Sequence, residues 1–375
     1  MKILLRGYYG FGNFGDDLLL IATHAIVRGF YPTAEIYVLA NNMDFCDQGM
    51  SGARYRDYIY RLLEGDVTII DWRTRGSFDL EIHGGGGVFQ PGRRSWKFTL
   101  QNIFAHIFRV RHIGKVALPV RKLLGKQERR VSKRSIGIGN SINFHNFFAE
   151  NLVRNMEQLG RLDKIWVRDS TSLENGRRLG ACCEIGTDLA FAHSASFSKL
   201  KVPATHRKGV GVILCGRKRS SLEMIEASLS HDWDCPPTFV FFEESYDADL
   251  IRTVSQAGYA SIVWRPWSLT IDEFARELAK FSVVISNRFH GVISATLLGV
   301  PSITIADSEK LRSLQEMSPE TKILLQHEGG PTIARQILDG KQLEGHGNEF
   351  YGGWEKNIRK NVLKLEAMID ECFKL

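Results

Sequence analysis

FSVVISNRFHGVISATLLGVPSITIADSEK, residues 281–310, reads as one strand, turn, helix and strand in thirty residues. Val283, Val284 and Ile285 form the short apolar run of a strand buried in a parallel sheet. Residues 291–298 make a small-faced helix stopped by Gly299 and Pro301, and 302–306 return as a strand. Asn287, Arg288 and His290 fall between the first strand and the helix, where open α/β sheets bind their ligands. Helix-start amides beside a guanidinium and an imidazole suit a phosphate or a carboxylate. On the alternative reading, Arg288 pairs with a surface carboxylate and His290 caps the helix.

Upstream, the same alternation reaches back to residue 209. A strand at 209–214 ends in Cys215-Gly216-Arg217, followed by a helix from about Ser221, a strand at 239–242, a helix at 248–257, a strand at 262–264 and a helix at 271–280. Arg217 either converges with Arg288 and His290 on one crevice or is an exposed turn arginine. Residues 194–207 are polar and irregular and divide the chain into domains 1–197 and 208–375. The tail reads as helical from Trp354, long enough to brace both halves.

The first half carries two glycine-rich strand ends. A strand at 2–6 runs into Gly7-Tyr8-Tyr9-Gly10-Phe11-Gly12-Asn13-Phe14-Gly15-Asp16-Asp17, with a helix expected near Leu18. Asn13, Asp16 and Asp17 can receive hydroxyl groups or cap that helix, and the glycine spacing is not the dinucleotide fingerprint. Strands follow at 35–39 and 67–71, and residues 79–82 lead into His83 and the glycines 84–87, a run that lets another group approach the backbone closely. After strands at 135–140 and 164–167, Asp169 reads as the N-cap of a helix at 170–179 and Arg168 as its structural partner. The whole pattern is α/β, with alternating strands and helices in each half.

With 43% hydrophobic and 24% charged residues, the 375-residue chain has an ordinary globular composition, which excludes disorder. Its net charge of +7 favours an anionic partner, such as a phosphorylated substrate, a lipid surface or nucleic acid. Ten of the basic residues lie between Arg109 and Arg134, behind apolar Phe104, Ile107 and Phe108. Such a stretch is either a peripheral contact with an anionic membrane or a solvated face, and no nucleic-acid motif accompanies it. Six cysteines without CxxC spacing suit a reducing cytoplasm and no zinc. The short Ile3–Leu5 run between Lys2 and Arg6 is no signal segment, so a cytoplasmic location is expected, at most peripheral to the inner membrane face.

Taken in order, Gly7-Tyr8-Tyr9-Gly10, Asn13, Gly15-Asp16, Gly84-Gly85-Gly86, Arg168-Asp169-Ser170, Thr187-Asp188-Leu189-Ala190-Phe191, Ser286-Asn287-Arg288-Phe289-His290 and Gly299-Val300-Pro301 resemble the polysaccharide pyruvyl transferase family across nearly the whole chain. A departure falls at Gly137-Ile138-Gly139-Asn140-Ser141, where members often continue with glycine and proline. The resemblance implies two Rossmann-like domains facing across a cleft, as in GT-B glycosyltransferases, and transfer of pyruvate from phosphoenolpyruvate to sugar hydroxyls of bacterial surface polysaccharides. It places the donor site at Arg217, Arg288, Phe289 and His290. The first domain becomes the acceptor side, with Asn13, Asp16, Gly84, Gly85 and Gly86 as candidates for a glycan, expected on a polyprenyl carrier.

The residue types suit that chemistry. Two arginines can clamp phosphate and carboxylate, and a histidine can move protons near neutrality, so His290, Arg288 and Arg217 are the catalytic candidates. Phosphoenolpyruvate would be a co-substrate, and neither a cofactor nor a metal is expected. Two alternatives are a sugar-nucleotide glycosyltransferase and a non-catalytic glycan-binding protein of the assembly machinery. Against the first, Ser294 stands where such enzymes resemble one another in a glutamate, and one hydroxyl cannot accept bidentately from a ribose diol.

Overall fold

The computed structural model describes residues 1–40, 52–70, 74, 76–86, 130–142, 159–216, 221–222, 224–226, 236–306, 311, 313–319, 322–325 and 347–373. The first sheet contains β1 (Lys2–Arg6), β2 (Glu35–Leu39), β3 (Thr68–Ile70), β4 (Gly76–Gly86), β5 (Arg130–Asn140), β6 (Lys164–Val167) and β7 (Cys183–Ile185). The second contains β8 (Val210–Leu214), β9 (Thr238–Phe241), β10 (Ser261–Val263), β11 (Val283–Ser286), β12 (Ser302–Ala306) and β13 (Lys322–Leu325). Their strand orders, β3-β2-β1-β4-β5-β6-β7 and β10-β9-β8-β11-β12-β13, repeat one doubly wound topology, and the paired strands are parallel. Described helices are α1 (Phe14–Phe30), α2 (Gly52–Leu62), α3 (Ser170–Arg178), α4 (Ser194–Ser198), α5 (Ala248–Gln256), α6 (Ile271–Ala279), α7 (Phe289–Leu298), α8 (Leu314–Met317) and α9 (Gly347–Phe373).

Local chemistry explains where the elements begin and end. The side chain of Asn13 accepts from the amides of Gly15 and Asp16, so α1 starts at Phe14, four residues before the position expected from the apolar run. Thr270 and Glu273 form a reciprocal capping box on α6. Gly299, with φ +67°, ends α7 in the left-handed conformation. The β11–α7–β12 unit has the expected order, but α7 starts at Phe289, which brings His290 into its first turn. The glycine run that follows Ile82 continues β4 rather than turning away from it.

The two halves share one core. Phe14 enters the second domain, its ring 4.9 Å from Phe242, 5.2 Å from Trp264 and 4.7 Å from Phe274. Truncating such a wholly buried ring to alanine costs about 3–5 kcal/mol. Beside it the Phe14 amide donates to the Phe242 carbonyl at 2.9 Å, and Trp264 Nε1 donates to Asp17 Oδ2 at 2.9 Å. Burial pushes the Asp17 carboxyl well above the usual range, against the bonds from Trp264 and Tyr58. Helix α9 crosses back to the first sheet, where Phe373 stacks on Phe30. Asn361, also on α9, accepts from Thr187 at 2.9 Å and donates to the Met317 carbonyl at 3.0 Å, tying the exit of one sheet to the other domain.

Candidate active site

In each sheet the strand order reverses once, between β1 and β4 and between β8 and β11. Doubly wound folds bind ligands at the carboxyl ends of strands flanking such a reversal. Both reversals meet at one place, because the start of α1 lies against the start of α7. A methyl group on Gly15 would stand 2.6 Å from His290 Cγ and closer still to Nδ1, so only a glycine lets the ring sit there.

His290 is buried, 8% exposed. Its Nε2 lies 3.6 Å from Asp188 Oδ2, across the boundary between the domains. The same Asp188 oxygen accepts from Arg168 Nη1 at 3.1 Å, while Oδ1 accepts from the Ala190 amide at 2.9 Å. Arg168 also donates from Nε to Asp169 at 3.3 Å and lies 3.7 Å over the ring of Phe289. Complete burial opposes the Asp188 charge, yet His290 and Arg168 outweigh it and hold the carboxyl far below the usual range.

Arg288 occupies the N-cap position of α7. Its Nε donates to the Leu214 carbonyl at 2.6 Å, and Nη2 bonds both oxygens of Asp247, at 2.6 and 2.5 Å. Asp247 in turn accepts from the amides of Gly216 at 2.8 Å and Glu243 at 3.2 Å. Burial disfavours the Arg288 cation, but nearby Cys215, Asp247 and Glu243 more than compensate and raise its pKa. The partner of Arg288 is thus a buried carboxylate, and Nη1 is the nitrogen outside these bonds. Arg217 lies outside the described residues, as do the basic residues 109–129.

On the first domain, Asn13 both caps α1 and donates to Glu243 Oε2 at 2.9 Å, bridging the domains. Burial raises the Glu243 pKa, against that bond. Asp16 rests against Gly86, where a methyl would stand 3.1 Å from Oδ1. Gly84 and Gly85 face inward, toward Tyr9 and Leu19, and Tyr9 donates to the Gly84 carbonyl at 2.8 Å. Close packing of α1 on β4 therefore uses the glycine run. Asp169 accepts from Ser172 at 2.7 Å as the expected N-cap, and Arg168 pairs with it. The roles of Asp188, Asp247 and Gly15 beside the named residues come from long-range contacts, and the sequence signal for them was the family-like segments containing Asp188 and Gly15. Among the described residues, no group of three His, Cys, Asp or Glu side chains is placed to hold a metal ion.

Two Rossmann-like domains meeting at their strand ends define the GT-B architecture. The chain belongs to the polysaccharide pyruvyl transferase family, whose sequence profile matches residues 13–309. No curated protein sequence matches it. Among solved structures it is similar to Anabaena Alr3699/HepE in complex with UDP and glucose, with TM-score 0.62 and 12% identity over 100% of both chains. It is also similar to UDP-GlcNAc 2-epimerases of Methanocaldococcus jannaschii, with TM-score 0.51 and 10% identity over 90% of this chain and 92% of that one, and of Neisseria meningitidis, with TM-score 0.50 and 12% identity over 100% of both. At these identities the likeness is one of fold. No described helix is long and apolar enough to cross a membrane.

Proposed function

We propose that the protein transfers the enolpyruvyl carbons of phosphoenolpyruvate onto two hydroxyls of a sugar in a bacterial surface glycan, forming a pyruvate ketal and releasing phosphate. The observation that carries this reading is His290 in the first turn of α7, at the meeting of both switch points, in a chain of the pyruvyl transferase family. Protonation of the donor's methylene carbon makes a methyl group and leaves the adjacent carbon cationic. One sugar hydroxyl adds there, phosphate departs, and the second hydroxyl closes the ketal. The hydroxyls release two protons, one replacing that given to carbon and one leaving with phosphate.

His290 supplies and recovers the proton. The α7 start, Arg288 Nη1 and Arg217 bind the donor's phosphate and carboxylate, and Phe289 fixes Arg168 behind them. Asn13, Asp16 and the loop ends of the first domain face the acceptor, which we place on a polyprenyl carrier at the inner face of the cell membrane. Ser294 disfavours the sugar-nucleotide alternative: it is fully buried within α7, with no carboxylate at that position for a ribose diol. The reading is tested by donor binding. His290→Ala should keep phosphoenolpyruvate affinity within about threefold while turnover falls about 10²-fold or more; full turnover in that variant removes His290 from the chemistry.

A further inference from the structure

We infer that Asp188 is a positioning residue for His290: a carboxylate fixed on the first domain orients and stabilises as a cation the imidazole carried by the second, so the proton-transfer group is complete only when the domains are closed. The inference rests on the reading of His290 as the proton donor. Asp188 cannot rotate away, since Ala190 holds Oδ1, Arg168 holds Oδ2, and the side chain is wholly buried. Arg168 is equally buried and is fixed by Phe289, the residue next to His290. Histidines that move protons commonly depend on such a second partner for orientation and basicity.

Charge balance points the same way. Arg168 contributes one positive charge, whereas Asp169 and Asp188, both paired with it, contribute two negative ones. Among these buried side chains, the cluster lacks one cation, and an imidazolium at His290 supplies it. The other ionisable neighbours do not replace it. Gly15 of α1 meets the ring with no charge of its own, and Asp16, the next residue, lies against Gly86. His193, on the 3-10 turn Leu189–His193, is committed to the Leu18 carbonyl at 2.9 Å, and the ionisable side chains of α6 lie toward solvent. Arg288 is held by Asp247, while α4, β11 and β12 have no ionisable residue.

The test is histidine-selective NMR on the full-length protein, with the His290 signal assigned by its loss in His290→Ala. The parent ring should remain protonated above pH 7, beyond the ordinary histidine value of about 6.5. In Asp188→Asn its titration should fall by about one pH unit or more, and kcat should drop about 30- to 100-fold with KM for phosphoenolpyruvate within about threefold. A parent ring neutral at pH 7, or a titration unmoved in Asp188→Asn, overturns the inference. If that variant does not fold, the parent titration alone decides. Phosphoenolpyruvate turnover with an unshifted ring would sink this inference but not the donor assignment; a shifted ring without such turnover would do the reverse.

Discussion

Replacing Gly15 by alanine adds one methyl group directly against His290. The methyl would stand 2.6 Å from Cγ and 2.9 Å from Cβ of the histidine, against an ordinary contact of about 3.4 Å or more. The imidazole must therefore move by about 1 Å, away from Gly15. A displacement of that size at a group that transfers a proton lowers the rate about 10²-fold. The fold should survive, because Gly15 lies in the first turn of α1 without a left-handed φ, and alanine is the better helix former by about 1 kcal/mol. Gly29 of the same helix has open space around it, so Gly29→Ala is the matched control. Steady-state kinetics and thermal unfolding of both variants read the outcome: Gly15→Ala should lose about 10²-fold in kcat with an unchanged or slightly higher Tm, and Gly29→Ala should keep its rate. Unchanged kcat in a folded Gly15→Ala protein would refute the placement of the chemistry at this ring.

Asp17→Asn tests the buried carboxyl at the domain junction. Because its folded pKa is raised, the parent takes up a proton on folding and loses stability as pH rises from the unfolded value through the folded one; the variant should therefore gain stability relative to the parent, by about 1 kcal/mol or more, between pH 4 and pH 8. Equal differences in unfolding free energy at both pH values would contradict this. Asp247→Ala leaves the buried Arg288 cation without its carboxylate and two amides without an acceptor, which should cost about 3–5 kcal/mol in urea unfolding; a loss below about 1 kcal/mol would mean the pair is solvated. Replacing Arg121, Lys122, Lys126, Arg129 and Arg130 by glutamine should release the protein from anionic liposomes at low salt, since each such cation contributes about 1 kcal/mol there. Equal binding by variant and parent would leave the stretch as a solvated face.

Much of this architecture was legible because parallel strands announce themselves locally. Val283, Val284 and Ile285 are apolar on both faces, and the stops at Gly299 and Pro301 bound the following helix. Short edge strands carry less signal: Cys183–Ile185 and Lys322–Leu325 take their identity from the neighbour they pair with. The apolar run points to a start of α1 near Leu18, whereas Asn13 begins the helix four residues earlier through its side chain, with Gly15 already inside. Arg288 and His290 were visible as residue types at a strand end. That Arg288 faces Asp247 and His290 faces Asp188 was not, since those partners lie 41 and 102 residues away and meet them only through the fold. In the sequence, glycines 84–86 suit close approach of a ligand, and their positions show a second demand, the seating of Tyr9 and Leu19 of the first domain against β4.

In the proposed reaction this family member uses phosphoenolpyruvate as donor, with His290 moving the proton. The most direct measurement is incubation of the pure protein with phosphoenolpyruvate and candidate lipid-linked oligosaccharides, following phosphate release and glycan mass together. That reaction should release one phosphate for each pyruvyl group gained, and both should be lost in His290→Ala. A glycan that gains a hexose from a UDP-sugar, while phosphoenolpyruvate stays intact with every acceptor, would contradict it.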